Sequence, residues 1–585
     1  MSFSLTRRMP LAAGAGVAGK PKGAAPYLSP AGALAALAAA VLLCWPMLVT
    51  RAPLVYFDTV SYFTNGAQLW YAAVGLVLSI IDPGALAEMA GDAGSAATAG
   101  DAAAAAAGAG TGGAGGVTFR SLAYAAFFYP AALSPLGLAL VCMLQTAMTL
   151  FVFLGLVPRL PNEARVPAAA GFAAVGLLSS LPWFASYAMP DILGAVLPVY
   201  FALALGRADS LGLVQRIVLM GIAAFAILSH YGHLPMVLVL APAALLWRGL
   251  RGRLSRGAWA FCLLPVAAAF GFNLAASIAV SIVTQGGALA LAAPLEAPGT
   301  ALAHLPESHA PAGLLLAAAV PAELPRREPA SSEAPRRQPP SPEPPRGEPP
   351  SPEPTAGVSF APNRIPVLLA RSIEDGPARW YLQEECRAVD RYAICELFDQ
   401  MPDNVWEVLW APDGIRTATP EQMARIRAEE TEIVLAAARR YPVQQGEALV
   451  RNTLYQAVLL GTGELLPMPA GAPDATLYEL APVTSDNEND PALQLFDWII
   501  PVFTVLAFLV LAWRLATGRV QSFLVEAVVM VLFALLVNAA VYGGLSAPVD
   551  RYQARLAWLI PALLALDLAL RSRTGSARTL EPEAA

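Results

Sequence analysis

Runs of apolar residues long enough to cross a hydrocarbon core of about 30 Å recur through both ends of this chain, and they restrict its fold more than any other feature. They lie near 31–50, 136–157, 166–184, 191–206, 212–229, 233–248, 257–283, 496–513, 521–542 and 555–570. Composition agrees with them, at 56% hydrophobic, 14% charged and a mean hydropathy of +0.54 over 585 residues. The expected fold is an all-α polytopic membrane protein of about ten transmembrane helices, with a small, mainly helical periplasmic domain.

Basic residues set the expected orientation. Arg7, Arg8, Lys20 and Lys22 precede the first run, and Arg159, Arg165, Arg207, Arg216, Arg248, Arg251, Arg253 and Arg256 fall in alternate short connections. Arg514, Arg519, Arg571, Arg573 and Arg578 continue the same side, which the positive-inside rule makes cytoplasmic, both termini included. The long run at 31–50, with no small-residue cleavage site before Arg51, reads as an anchor and not a signal peptide. The expected organisation is a cytoplasmic tail (1–30), a membrane domain (31–283) and a Pro-rich linker (284–359). A soluble domain (360–495), the last transmembrane helices (496–570) and a cytoplasmic tail (571–585) follow.

Two long loops then face the bacterial periplasm. The first, 51–135, holds Asp58, an apolar stretch at 67–81 that reads as an interfacial helix, and a flexible Ala/Gly insertion at 85–116. The second opens with Pro-rich, charged chain around a near-repeat of PPSPEP, which favours extended, solvated structure. Its later part mixes polar and apolar residues with helix signals. Thr419-Pro420-Glu421-Gln422 is an N-terminal capping pattern that opens a helix running to Arg440. Cys386 and Cys395 form C-x8-C here, read as a disulfide in an oxidising compartment, with free thiols as the alternative.

Polar residues collect at the periplasmic ends of the runs: Asp58 after the first, and Arg120 with Tyr129-Pro130 before the second. Asp191 opens the fourth, His230 and His233 lie between the fifth and sixth, and Asp550, Arg551, Tyr552 and Arg555 precede the last. Ionisable groups at membrane depth are expensive and ask for a functional explanation. Guanidinium groups pair bidentately with phosphate, and a carboxylate can take a proton from an attacking hydroxyl, so the set suits an anionic, membrane-borne substrate.

FDTVSYF (57–63), RSLAYAAFFYP (120–130), LQT (144–146) and AMPDIL (188–193) together resemble the GT-C superfamily of polytopic glycosyltransferases. The resemblance covers 31 to about 250; many members carry a paired acidic motif where this chain has Asp58 alone, and the Ala/Gly insertion fills the gap before Arg120. It implies transfer of a sugar from a polyprenyl-phosphate-linked donor to a lipid, glycan or protein acceptor. Asp58 would be the general base or a ligand for a divalent metal (Mg or Mn), and Arg120 would hold the carrier phosphate. By position, Arg551 and Arg555 are further phosphate ligands, while Tyr129, Asp191, His230 and His233 line the substrate site.

Each residue also has a plainer role. Asp58 and Asp191 can cap helices, Arg120 can snorkel to headgroups, and the histidines can make interfacial hydrogen bonds. Arg551 and Arg555 share a helical face and can simply meet lipid phosphates, and Tyr and Trp near run ends read as an aromatic belt. A transporter or flippase would place polar groups near the bilayer midplane, where Asn273 and Glu526 are the few found. A glycan ligase or polymerase would depend on Arg and His of the large loop. No nucleotide-binding loop or redox motif is present, and no nucleic-acid partner is expected.

Overall fold

The computed structural model describes residues 29–50, 53–70, 121–285, 365–467 and 491–576, apart from single positions or pairs within them. Asp58 and Arg120 lie outside the described residues, as do the Ala/Gly run and the Pro-rich stretch 320–356, and the apolar stretch at 67–81 is described only to Trp70.

The protein is mostly helical, with two strands of two residues each among the described residues. Each apolar run coincides with helix. Among the described residues six helical stretches are long and apolar enough to cross a membrane: Pro30–Val49, His233–Leu250, Arg256–Ala275, Gln494–Ala516, Ser522–Leu545 and Asp550–Arg571. Leu122–Ala132, Leu138–Leu154, Pro190–Gly206 and Leu213–Ser229 are apolar but shorter.

Three runs expected to be continuous are broken, each at a residue that disturbs the backbone ladder. The first pauses at Cys44-Trp45, before Pro46, which lacks the amide needed to continue the helix. The run over 166–184 stops after Leu178, where Ser179 and Ser180 turn their hydroxyls to the carbonyls of Val175 and Ala554, and restarts as Leu181–Ala185. The fourth opens as the 3-10 turn Pro190–Ala195 before Val196–Gly206. That tight turn keeps Asp191 at the helix mouth.

Helix pairs bury the apolar faces. Pro30–Leu43 packs on Leu138–Leu154, Val196–Gly206 on Ser522–Leu545, and Asn162–Leu178 on Leu559–Ser576, so the last helices complete the core of the first ones. Charged residues at helix ends form internal ion pairs. Arg514 Nε donates to Asp567 Oδ2 at 2.7 Å with both residues buried, and Arg248 bonds Asp209 at 2.5 Å while donating to the Ala204 carbonyl. Glu526, expected at membrane depth, lies near the start of its helix, 3.4 Å from Arg253. It answers a charge at the helix end.

A second core belongs to the lobe formed by Val367–Glu374, Pro377–Ala388 and Pro420–Arg440, around Leu369, Ile373, Leu382, Ile394, Ile426 and Ile433. The capping pattern is present as expected. Thr419 Oγ1 accepts from Gln422 N at 3.2 Å, and Gln422 Oε1 accepts from Thr419 N at 2.9 Å. Gln422 Nε2 also donates to Glu396 at 2.9 Å; this bond and one from Arg425 hold the Glu396 carboxyl below its usual range. Thr419→Ala will cost about 1 kcal/mol, seen as faster hydrogen exchange in the first turn of this helix while the rest of the lobe stays protected.

Cys386 and Cys395 are joined in a disulfide that ties helix Pro377–Ala388 to the turn Ala393–Glu396. Helix Pro442–Val458 then leaves the lobe and lies along Ser522–Leu545. The crossing is close because a glycine stands there: a Cβ at Gly543 would sit 2.4 Å from the Asn452 carbonyl oxygen. Gln456 clamps the chain beyond, donating to the Val549 carbonyl at 2.8 Å and accepting from Val549 N at 3.0 Å.

Candidate functional site

Strand Leu54–Val55, just past the first apolar run, pairs antiparallel with Leu466–Pro467. On its other side Leu54 N donates to the Ser186 carbonyl at 2.8 Å, and Ala188 N donates to the Leu54 carbonyl at 2.9 Å. Thr59 Oγ1 accepts from Tyr56 N at 3.0 Å and reaches the Ala188 carbonyl at 3.4 Å. The loop residues on either side of position 58 are therefore sewn to the AMPDIL segment.

Helix Asp550–Ala557 brings two guanidinium groups to this junction, one turn apart on one face. Arg555 is fully buried; it donates to Asp191 Oδ1 and Asn538 Oδ1, each at 3.2 Å, and lies 4.3 Å from the Tyr542 ring centroid. Arg551 lies 3.8 Å from the Tyr56 ring centroid and donates to the hydroxyls of Tyr187 at 3.4 Å and Tyr552 at 3.2 Å. Phenol rings give a cation a low-dielectric seat that attracts it without neutralising it.

The histidines meet the same cluster. His233 Nδ1 lies 2.6 Å from the Ala226 carbonyl, so the neutral ring carries its proton there and leaves Nε2 as the acceptor. His230 Nδ1 faces the Tyr542 hydroxyl at 3.1 Å. Gly232 makes the Tyr542 approach possible, since a Cβ there would stand 2.0 Å from that hydroxyl. Gly194 does the same beside the arginine, where a Cβ would lie 3.0 Å from His233 Nε2 and 3.3 Å from Arg555 Nε.

Within this cluster Asp191 Oδ2, His233 Nε2 and Arg555 Nε are buried with no hydrogen-bond partner among the described residues, as are atoms elsewhere in the helical core such as Trp183 Nε1 and Trp558 Nε1. Buried polar groups are nearly always satisfied, so these orphans beside one guanidinium make the cluster a candidate site. Among the described residues the cluster holds two guanidinium groups and one carboxylate, leaving a surplus of positive charge.

The structure thus brings together Asp191, His230, His233, Arg551 and Arg555 from three distant parts of the chain. For Tyr129 the described contacts are packing ones: its ring lies 5.1 Å from Phe63 and its Cβ fills the space against Gly66, on helix Leu122–Ala132. Nearer the site, Tyr124 donates to Gln145 Oε1 at 2.8 Å and Gln145 donates to the Tyr187 carbonyl at 2.5 Å, so the glutamine of LQT is a buried strut. Tyr124, Tyr187, Tyr542 and Trp183 are buried in protein and do not form the expected aromatic belt. Asn538, Tyr187 and Tyr542 are site residues that pattern alone missed; the only sequence signal was an amide inside the apolar run at 521–542.

No group of three or more His, Cys, Asp or Glu among the described residues could hold a metal, so the described chain offers no ligand set for the divalent ion that the resemblance admits. No family model, curated protein or solved structure matches the chain.

Proposed function

We propose that this protein is a membrane glycosyltransferase that moves a sugar from a polyprenyl-phosphate-linked donor to an acceptor on the periplasmic face of the bacterial inner membrane. The observation that carries the reading is the buried Arg551–Arg555 pair set against Asp191 on a membrane-entering helix, with Tyr56 of the first loop laid over Arg551. A lipid-linked phosphate brings its own membrane anchor and negative charge, and both suit a cationic cluster at a helix mouth.

In this reading about ten helices cross the membrane, both termini are cytoplasmic, and the lobe hangs in the periplasm. Asp58, bracketed in sequence by Tyr56 and Thr59, takes the proton of the acceptor hydroxyl as its oxygen bonds to the anomeric carbon. The bond from that carbon to the phosphate oxygen breaks, and the electron pair stays on the phosphate, where Arg551 and Arg120 stabilise it. Arg555 positions Asp191 and the Tyr542–His230 contact beside them. A transporter reading draws less support, because Glu526 pairs with Arg253 at a helix end.

The test is turnover. The purified chain in nanodiscs, offered a panel of polyprenyl-phosphate-linked hexoses and pentoses together with a lipid and glycan extract of bacterial envelope as the acceptor source, is expected to release the carrier phosphate from at least one donor; release from none by a folded preparation removes the reading. Orientation has a separate test. A membrane-impermeant maleimide applied to intact spheroplasts after reduction should label Cys386 and Cys395, and labelling only after permeabilisation inverts the topology.

A further inference from the structure

We propose that the helical lobe carries a second binding site, a cleft that takes an uncharged oligosaccharide; the proposal stands on the cleft alone and does not need the transfer reaction. The cleft has a volume of about 670 Å³ and lies between helix Pro377–Ala388 and the segment 398–407. That volume is in the range that holds small ligands. One wall supplies Arg379, Trp380 and Gln383; the other supplies Gln400, Asp403 and Glu407, with Phe398 at its start.

Its aromatic floor is fixed in advance. Gly376, at φ 106°, brings the backbone under the Trp380 indole, where a Cβ would stand 2.5 Å from a ring carbon. Tyr441 meets that ring edge to face, with centroids 5.4 Å apart. The helix that supplies the first wall is tied to the chain just ahead of the second by the Cys386–Cys395 disulfide and by the Tyr381 and Tyr392 hydroxyls, 3.0 Å apart. A ligand entering here orders little that is not already ordered, which favours a weak, shape-selected guest.

The polar groups match hydroxyls better than any single charge. A sugar ring offers a C–H face that lies on an indole and a rim of hydroxyls that both donate and accept. Amides answer with both roles, carboxylates accept, and the guanidinium donates. Gln383, Gln400, Asp403 and Glu407 are all exposed, and Arg379 meets Asp403 only loosely, at 3.8 Å. A surface pair so open is held weakly and yields readily to a hydroxyl. The described lining sets two carboxylates against one guanidinium, which disfavours phosphates and acidic polymers.

The full-length chain in nanodiscs, free of sugar-headed detergent, is to be probed on an array of linear neutral hexasaccharides (gluco-, galacto-, manno- and arabino-), with hexalysine and polyphosphate as charged probes. Saturable binding to at least one neutral hexasaccharide is expected, weakened about tenfold by Trp380→Ala. Because Trp380 also packs on Gly376 and Tyr441, the double variant Gln383→Ala/Gln400→Ala, which removes only exposed side chains, should weaken it as well. The proposal is overturned if no neutral hexasaccharide binds the folded chain, if only a charged probe binds, or if the double variant binds as tightly as the parent.

Discussion

Asp58→Asn will reduce sugar transfer from a polyprenyl-linked donor by at least about 10²-fold while expression, membrane insertion and the Cys386–Cys395 bond are unchanged, because a positioned general base contributes about 10²–10⁴ in rate. Asparagine keeps the shape of the side chain and loses the lone pair that takes the proton. The surrounding loop keeps its own supports, since strand Leu54–Val55 is bonded to Ser186 and Ala188 on one side and to Leu466–Pro467 on the other. Loss of rate with unchanged donor affinity is the expected split, because the proposed reaction assigns the carrier phosphate to arginine and not to this carboxylate. Arg551→Gln should show the opposite pattern, with weaker donor binding as the leading effect. Normal turnover in Asp58→Asn would falsify the role given to this residue.

The largest effect on stability is expected at Arg555. Arg555→Met keeps much of the buried volume but leaves the Asp191 carboxylate, itself only 1% exposed, without its cation, and breaking one side of a buried pair costs about 3–5 kcal/mol. The same change removes the bond to Asn538 and the cation over Tyr542. Thermal unfolding in nanodiscs should show a clear fall in Tm. The double variant Asp191→Asn/Arg555→Met removes the stranded charge and should recover most of the loss, a coupling that residues in direct contact display and distant ones do not. A double variant no more stable than Arg555→Met alone would mean that the two side chains do not depend on each other.

Much of the fold is legible in the chain because it rests on local rules. Apolar length places the helices, Thr419 with Gln422 marks a helix start, and the short spacing of Cys386 and Cys395 lets one helix and one turn meet. The polar half of the site is legible in part, since charged residues at run ends are costly enough to stand out. What remained hidden are partnerships across great sequence distance: Asp191 and Arg555 stand 364 positions apart, as do Tyr187 and Arg551, and nothing local links them. Tyrosines are ambiguous by nature, for the same amphipathic ring suits a headgroup region or a buried cation, and only packing decides. Glu526 misleads for a related reason: four residues inside an apolar helix reads as depth until Arg253 is seen beside it.

The seat of helix Pro442–Val458 on Gly543, with Gln456 gripping both backbone groups of Val549, bears on how the molecule is held as one body. The N-terminal helices meet the C-terminal ones through packed faces: Val196–Gly206 against Ser522–Leu545 and Asn162–Leu178 against Leu559–Ser576, with strand Leu54–Val55 against Leu466–Pro467. These packed faces hold the two parts of the chain together. Two pieces translated separately and divided in that interval would still present matching surfaces, and so the protein has the anatomy of a heterodimer written as a single chain.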